Sequence, residues 1–115
     1  KDRNVGELLM LVTSELGEAM EAHRKGMFSD MEGFEKRLAK SRFINDEQYA
    51  GEITPERAYE VHFNDHIKDR FEDEIADAVI RLLDMSAGLG IDLEKHINAK
   101  VKYNTNRPRL HGKSY

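Results

Sequence analysis

Between Val5 and Met20 apolar residues recur every three or four positions, and one position inside that stripe holds an acid. On a wheel of ~100° per residue, Leu8, Val12 and Ala19 fall within about 40° of one another and mark the centre of an apolar helix face. Glu15 lies inside the same face, about 20° from Leu8, with Ala22 and Leu11 on its other side. Glu18 sits at the edge of the stripe, and Glu21 swings out to solvent. A carboxylate on the core side of a helix is unfavourable unless it is paired or bound to a metal. The spacing therefore predicts a helix, and Glu15 needs a partner.

The helical period continues along the chain. Asn4 is a suitable cap for the first helix, which runs to about Lys25 and stops at Gly26. A shorter helix is expected from about Asp30 to Lys40, and residues 41–53 lack a clear period and read as a loop. Thr54-Pro55 is a helix start, with Thr as cap and Pro in the first turn. From there one long pattern reaches Leu89 through Ile67, Phe71, Ile75, Ala78, Val79, Leu82 and Leu83, with a break expected at His62 to Asp65. Gly88 and Gly90 end it. Asp92 caps a last helix to about Asn104, and Arg107-Pro108 opens an irregular tail. No stretch shows a sustained strand period, so the class is all-α, in a single domain over residues 1–115.

A chain of 115 residues has room for one modest core. With 35% charged residues, much of its surface must face water, and a homodimer or homotetramer is expected to complete the bundle. The absence of Cys excludes thiolate metal sites and disulfides. No apolar run approaches a membrane span or a signal peptide, so no membrane partner and a cytoplasmic location are expected. The chain begins at Lys1 with a helical pattern close behind it, from which a preceding N-terminal segment is expected. All 22 acidic residues lie within residues 1–94, whereas residues 95–115 hold six Lys and Arg and no acid. An acidic body argues against a general nucleic-acid binder, which would carry a basic face there. It suits a protein that binds cations at one place and a polyanion beside them.

A second set of acids repeats the anomaly of Glu15. Glu74, Asp77 and Arg81 form a ridge at one edge of the later long helix, spaced three and four apart. If that helix packs antiparallel to the first, Glu15, Glu18, Glu74 and Asp77 converge. Two carboxylates ~4 Å apart repel by about 4 kcal/mol at an effective dielectric of ~20, so divalent cations are the natural remedy. All-oxygen ligation favours Mg²⁺, with Mn²⁺ as a substitute. Three other accounts compete: ordinary exposed acids, a Glu15–Arg81 or Glu15–Lys pair, and a di-iron bundle. The last requires Glu-x-x-His motifs that neither acidic segment offers. Opposite Glu15, Gly6 and Gly17 share a side with Met10 and Thr13 and suggest close approach of another helix.

The segment Ser14-Glu15-Leu16-Gly17-Glu18-Ala19-Met20-Glu21-Ala22, followed by Phe71-Glu72-Asp73-Glu74-Ile75-Ala76-Asp77-Ala78-Val79-Ile80-Arg81, resembles the MazG-like all-α nucleotide pyrophosphohydrolases. The ending Lys100-x-x-Tyr103-Asn104-x-x-Arg107-Pro108, then His111-Gly112-Lys113, is similar to the tail of phage and bacterial members. The resemblance is weakest over residues 28–65. It implies that Glu15, Glu18, Glu74 and Asp77 hold Mg²⁺, and that a nucleoside triphosphate is cleaved between its α and β phosphorus to monophosphate and pyrophosphate. Ser14 stands where the family usually places an acid, which leaves Glu21 and Glu72 as alternatives for orienting the attacking water. The insertion around residues 41–65 is expected to shape or cover the base pocket.

Lys100, Asn104 and Arg107 share a face at the end of the last helix and are the expected contacts to phosphate or sugar, with Arg81 as a further phosphate contact or a partner of Asp77 or Asp84. The alternative for the first three is a solvated basic helix end favoured by the helix dipole. His62 and His66 lack the Glu of a zinc-protease motif between them, and His23 and His96 read as surface residues. The aromatic residues Phe28, Phe34, Phe43, Tyr49 and Phe63 suit either base stacking or core. Two further functions stay open: a non-catalytic helical module with an acidic docking face, and a phosphoribosyl-ATP pyrophosphohydrolase on the same fold.

Overall fold

The computed structural model describes residues 4–43 and 54–106, with the backbone alone at 42 and 43. Five helices account for nearly all of them: α1 (Val5–Arg24), α2 (Met31–Phe43), α3 (Pro55–His66), α4 (Phe71–Gly88) and α5 (Leu93–Asn106). No strand occurs among the described residues, and no helix there is long and apolar enough to cross a membrane.

The helix ends follow from local chemistry. Asn4 Oδ1 accepts from the Glu7 N–H at 3.0 Å, and Thr54 Oγ1 accepts from Arg57 N–H at 3.0 Å, each satisfying a first-turn donor with no intrahelical partner. Asp92 caps α5 through Lys95 N–H. At the other ends α1 and α4 close in the same way. Met27 N–H reaches Ala22 O and Gly26 N–H reaches His23 O, while Ile91 N–H reaches Ser86 O and Gly90 N–H reaches Ala87 O. This paired closure needs a left-handed residue after the cap, and Gly26 (φ 70°) and Gly90 (φ 73°) supply it.

The long pattern from Pro55 to Leu89 is two helices, as the expected break implies. The break lies at residues 67–70 rather than at His62 to Asp65. Asp69 takes a left-handed φ of 64°, and its N–H donates to Asp73 Oδ2 at 2.8 Å, so the first turn of α4 is held by an acid inside it. Ile67 is buried in the corner, which is why the apolar period runs on through the bend and hides it. The break is tied to the turn after α1. Asp30 N–H donates to His66 O, Phe71 N–H to Met27 O and Ser29 N–H to the Glu72 carboxylate at 2.7 Å. The two turns run side by side.

That arrangement returns α4 antiparallel along α1: Glu15 meets Arg81, while His23, near the end of α1, meets Phe71 at the start of α4. The α1–α4 contact is the most extensive in the fold. Val12, Ala19 and Ala22 face Ala78 and Ser86 there, and all are buried. Alanines let two helix axes approach to the short end of the usual ~8–10 Å range. Helices α2 and α3 pack on each other through Phe34, Tyr59 and Phe63, whose rings meet edge-on or stacked. Among the described helices, α5 touches only α4.

Among the described residues no large side chain is fully buried. Leu9, Leu16 and Met20 form a second apolar stripe on α1, and Val79, Ile80 and Leu83 do the same on α4, all exposed. Among the described residues, Gly17 borders open space on its Cβ side and Gly6 meets only Asn4, so no described helix lies against them. Replacing Ala78 by Leu should force α1 and α4 apart and destabilise the fold by about 1–3 kcal/mol. Urea denaturation measures this, and unchanged stability would show that the helices are not in close contact at Ala78.

Candidate metal centre

The antiparallel register places α1 and α4 acids opposite one another. Glu15, Glu18 and Glu74 each offer a carboxylate oxygen, and the three atoms lie within 4.8 Å of one another. Their environments differ. Glu74 is 5% exposed, the Glu15 side chain is 13% exposed, and Glu18 is open to solvent. The wheel position of Glu15 inside the apolar stripe and of Glu18 at its edge is reflected in that order. Asp77 is half-buried on the same ridge but is not a member of the close trio.

Charge crowding is visible in the protonation of the site. Glu74 is pushed up to about 7, first by burial, then by a hydrogen bond to Glu15 that only its protonated form can donate, and then by the charges of Glu18 and Glu15. Asp77 is also raised, by burial first and by Asp73 and Glu15 next, against the lowering effect of Arg81. Among the described residues no Lys, Arg or His lies within ion-pair distance of Glu74 or Glu18. The cation present is Arg81, whose Nε donates to Glu15 Oε2 at 2.9 Å. Of the sequence alternatives, the Glu15–Arg81 pair is therefore found, and pairing of Arg81 with Asp84 is not.

The trio passes a simple test of fit. Octahedral Mg²⁺ at ~2.1 Å from each oxygen requires ligand atoms roughly 3–4 Å apart, within reach of the observed spacing by small side-chain rotations. Among the described residues the trio is joined by no nitrogen or sulfur ligand, and an all-oxygen set suits a hard cation.

The other expected residues are placed as follows. Lys100 and Asn104 lie exposed on α5, with no hydrogen bond or ion pair to the carboxylates; Lys100 instead sits 4.9 Å from the centre of the Tyr103 ring. Arg107, His111 and Lys113 fall outside the described residues, as do residues 44–53 of the segment expected to form the base pocket. Glu21 is engaged with Arg24 and Lys25, and the Arg24 guanidinium holds its carboxyl below the usual range. Glu72 is lowered by the Ser29 backbone N–H that it accepts. Both candidates for orienting water are thus committed to structural contacts.

His62 is buried against α2, 3.2 Å from Ser41 Oγ, and burial followed by Arg37 and His66 lowers its pKa. His66 Nδ1 donates to the His62 carbonyl at 2.9 Å, so this pair belongs to helix packing. His23 is an exposed residue of α1, as expected, and its ring packs edge-on against Phe28 and Phe71 where α1 meets the start of α4. The sequence reading missed Asp69 and Asp73 as neighbours of the site. Asp73 stands one turn before Asp77, a spacing that could have suggested it.

In chelator, the raised pKa of Glu74 makes the protonated form the stable one. Its contribution is present below pH ~4.5 and is lost as pH rises through about 7. The lowered pKa of His62 acts with opposite sign, costing stability below pH ~6.5. Glu74→Gln isolates the first effect. It should raise the melting temperature of metal-free protein at pH 8, by on the order of 1–3 kcal/mol of stability, and do little at pH 5. An identical wild-type and variant pH profile in thermal denaturation would contradict the crowding. Across family models, curated proteins and solved structures, no match to this chain was found.

Proposed function

We propose that this chain is a Mg²⁺-dependent nucleoside triphosphate pyrophosphohydrolase of MazG-like type, acting as a homo-oligomer. The observation that carries the reading is the convergence of Glu15, Glu18 and Glu74 within 4.8 Å, with the buried Glu74 beside no Lys, Arg or His among the described residues. Asp77 stands beside them as a fourth acid. Nucleic acid and membranes have no place in this reading.

The residues present suit phosphoryl chemistry. Glu15, Glu18, Glu74 and Asp77 would hold the cation, which when bound shields phosphate oxygens and lowers the pKa of water. The buried position of Glu74 and the alanine contact beneath it keep the ligand oxygens preorganised. Arg81, already on the acid ridge, supplies a positive charge that can stabilise departing pyrophosphate. Lys100, Asn104 and Arg107 are proposed to bind phosphate or sugar; among the described residues α5, which carries Lys100 and Asn104, packs on α4, the helix of Glu74 and Asp77.

The exposed stripes on α1 and α4 are the reason to expect that assembly. Leu9, Leu16, Met20, Val79, Ile80 and Leu83 are each more than a third exposed, on two faces of the same helix pair. Covering them with a second copy would remove apolar surface from water at roughly 25 cal/mol per Å². Light scattering should show a dimer or tetramer, and Leu83→Glu together with Met20→Glu should shift it toward smaller species. A stable wild-type monomer would refute the assembly.

A panel of NTPs and dNTPs with Mg²⁺, scored for monophosphate plus pyrophosphate, tests the activity. Glu15→Gln or Asp77→Asn should lower turnover by at least ~10²-fold, by loss of a cation ligand. Inert substrates throughout, or inorganic phosphate as the product, would sink the proposal. The same panel with phosphoribosyl-ATP separates the related substrate class. An acidic docking module would show neither hydrolysis nor a Mg²⁺-dependent thermal shift.

A further inference from the structure

Among the described residues, five of the six ion pairs join residues no more than four apart in sequence, and one crosses the fold. That one is Arg81–Glu15, and it ends on the acid trio. The bond is made by Nε alone, and the two terminal amines carry no hydrogen bond to a described residue. A guanidinium placed to hold a carboxylate permanently uses its fork of parallel donors. This one does not. The Arg81 side chain is 43% exposed while Glu15 is 13% exposed, so the arginine approaches from the solvent side onto a mostly buried acid.

We propose that Arg81 is a displaceable counter-ion, which occupies Glu15 when the site holds no metal and leaves it when a divalent cation enters. This inference rests on the metal reading above and concerns how that site is regulated. A cation held by Glu15, Glu18 and Glu74 would lie beside the guanidinium at the same carboxylate, and two positive charges at that range repel. Arg81 can withdraw by side-chain rotation without moving α4, because the charged end is already in contact with water. Glu15 cannot withdraw, since its helix face is packed against α4. Arg81 and metal therefore exclude one another at Glu15, and each lowers the affinity of the site for the other. Arg81 in this role is a positioning residue: it keeps Glu15 in place and raises the threshold for metal loading.

The test is Mn²⁺ binding to the full chain without nucleotide, followed by paramagnetic resonance of free Mn²⁺, for wild type and Arg81→Gln. The expected result is several-fold tighter binding by the variant, even though its melting temperature in chelator falls. Equal or weaker binding by the variant would overturn the inference, because a merely structural ion pair would lose stability and affinity together. Failure of both proteins to bind Mn²⁺ would remove the metal reading itself, which distinguishes the two. A second measurement uses wild type alone: the Nε–H resonance of Arg81 should move toward that of a solvated guanidinium as Mg²⁺ is added. A resonance unmoved at saturating Mg²⁺ would also overturn the proposal.

Discussion

Close contact between α1 and α4 through Ala19, Ala22 and Ala78 is the constraint on which the rest depends. Small side chains at the contact bring two helices near enough for acids at the edge of each apolar face to meet across the groove. Larger residues would bury more apolar area and would hold the carboxylates apart. The helix pair thus exchanges core volume for proximity of Glu15, Glu18 and Glu74. The turns on either side serve that register, with Asp30, Phe71 and Glu72 tying the end of α1 to the start of α4.

That exchange leaves an electrostatic debt inside the protein. One of the acids, Glu74, relieves it by holding its proton up to about pH 7, and another, Glu15, by pairing with Arg81. These are two different remedies for the same crowding, and both are reversible. A divalent cation offers a third, and the hypothesis of a metal-dependent hydrolase follows from the chemistry that such a cation would bring to a polyphosphate. Buried charges that were only structural would be expected to pair completely, since breaking such a pair is costly. Here the most buried acid has no cation beside it among the described residues.

The fold within one chain is open. Helices α1 and α4 each carry an apolar stripe beyond the one they share, and among the described helices α5 contacts α4 alone. A helix buries its apolar stripe against another element, and among the described residues the stripe shared by α1 and α4 is the one of theirs so covered. The α2–α3 pair makes its own small aromatic core and is joined to the rest through the two turns. Its buried His62 bonds to Ser41 and contributes to packing rather than to the acid site.

Much was legible from residue order alone. Helical content, the caps at Asn4, Thr54 and Asp92, and the stop at Gly26 all arise from interactions within a few residues, so the local sequence contains their cause. The anomalous position of Glu15 could also be read, because a helix wheel needs only the chain. The bend at residues 67–70 was not, since Ile67 is buried in the corner and keeps the apolar period unbroken through it. The open side of Gly17 was equally hidden, as periodicity identifies a face without saying what lies against it. The sequence by itself determined which acids sit on which helix face. Only the tertiary structure decided that Glu15, Glu18 and Glu74 meet, that Asp77 stands just outside, and that Arg81 takes Glu15. Those outcomes depend on the register and spacing of two helices separated by more than forty residues, which the local rules of helix formation do not contain.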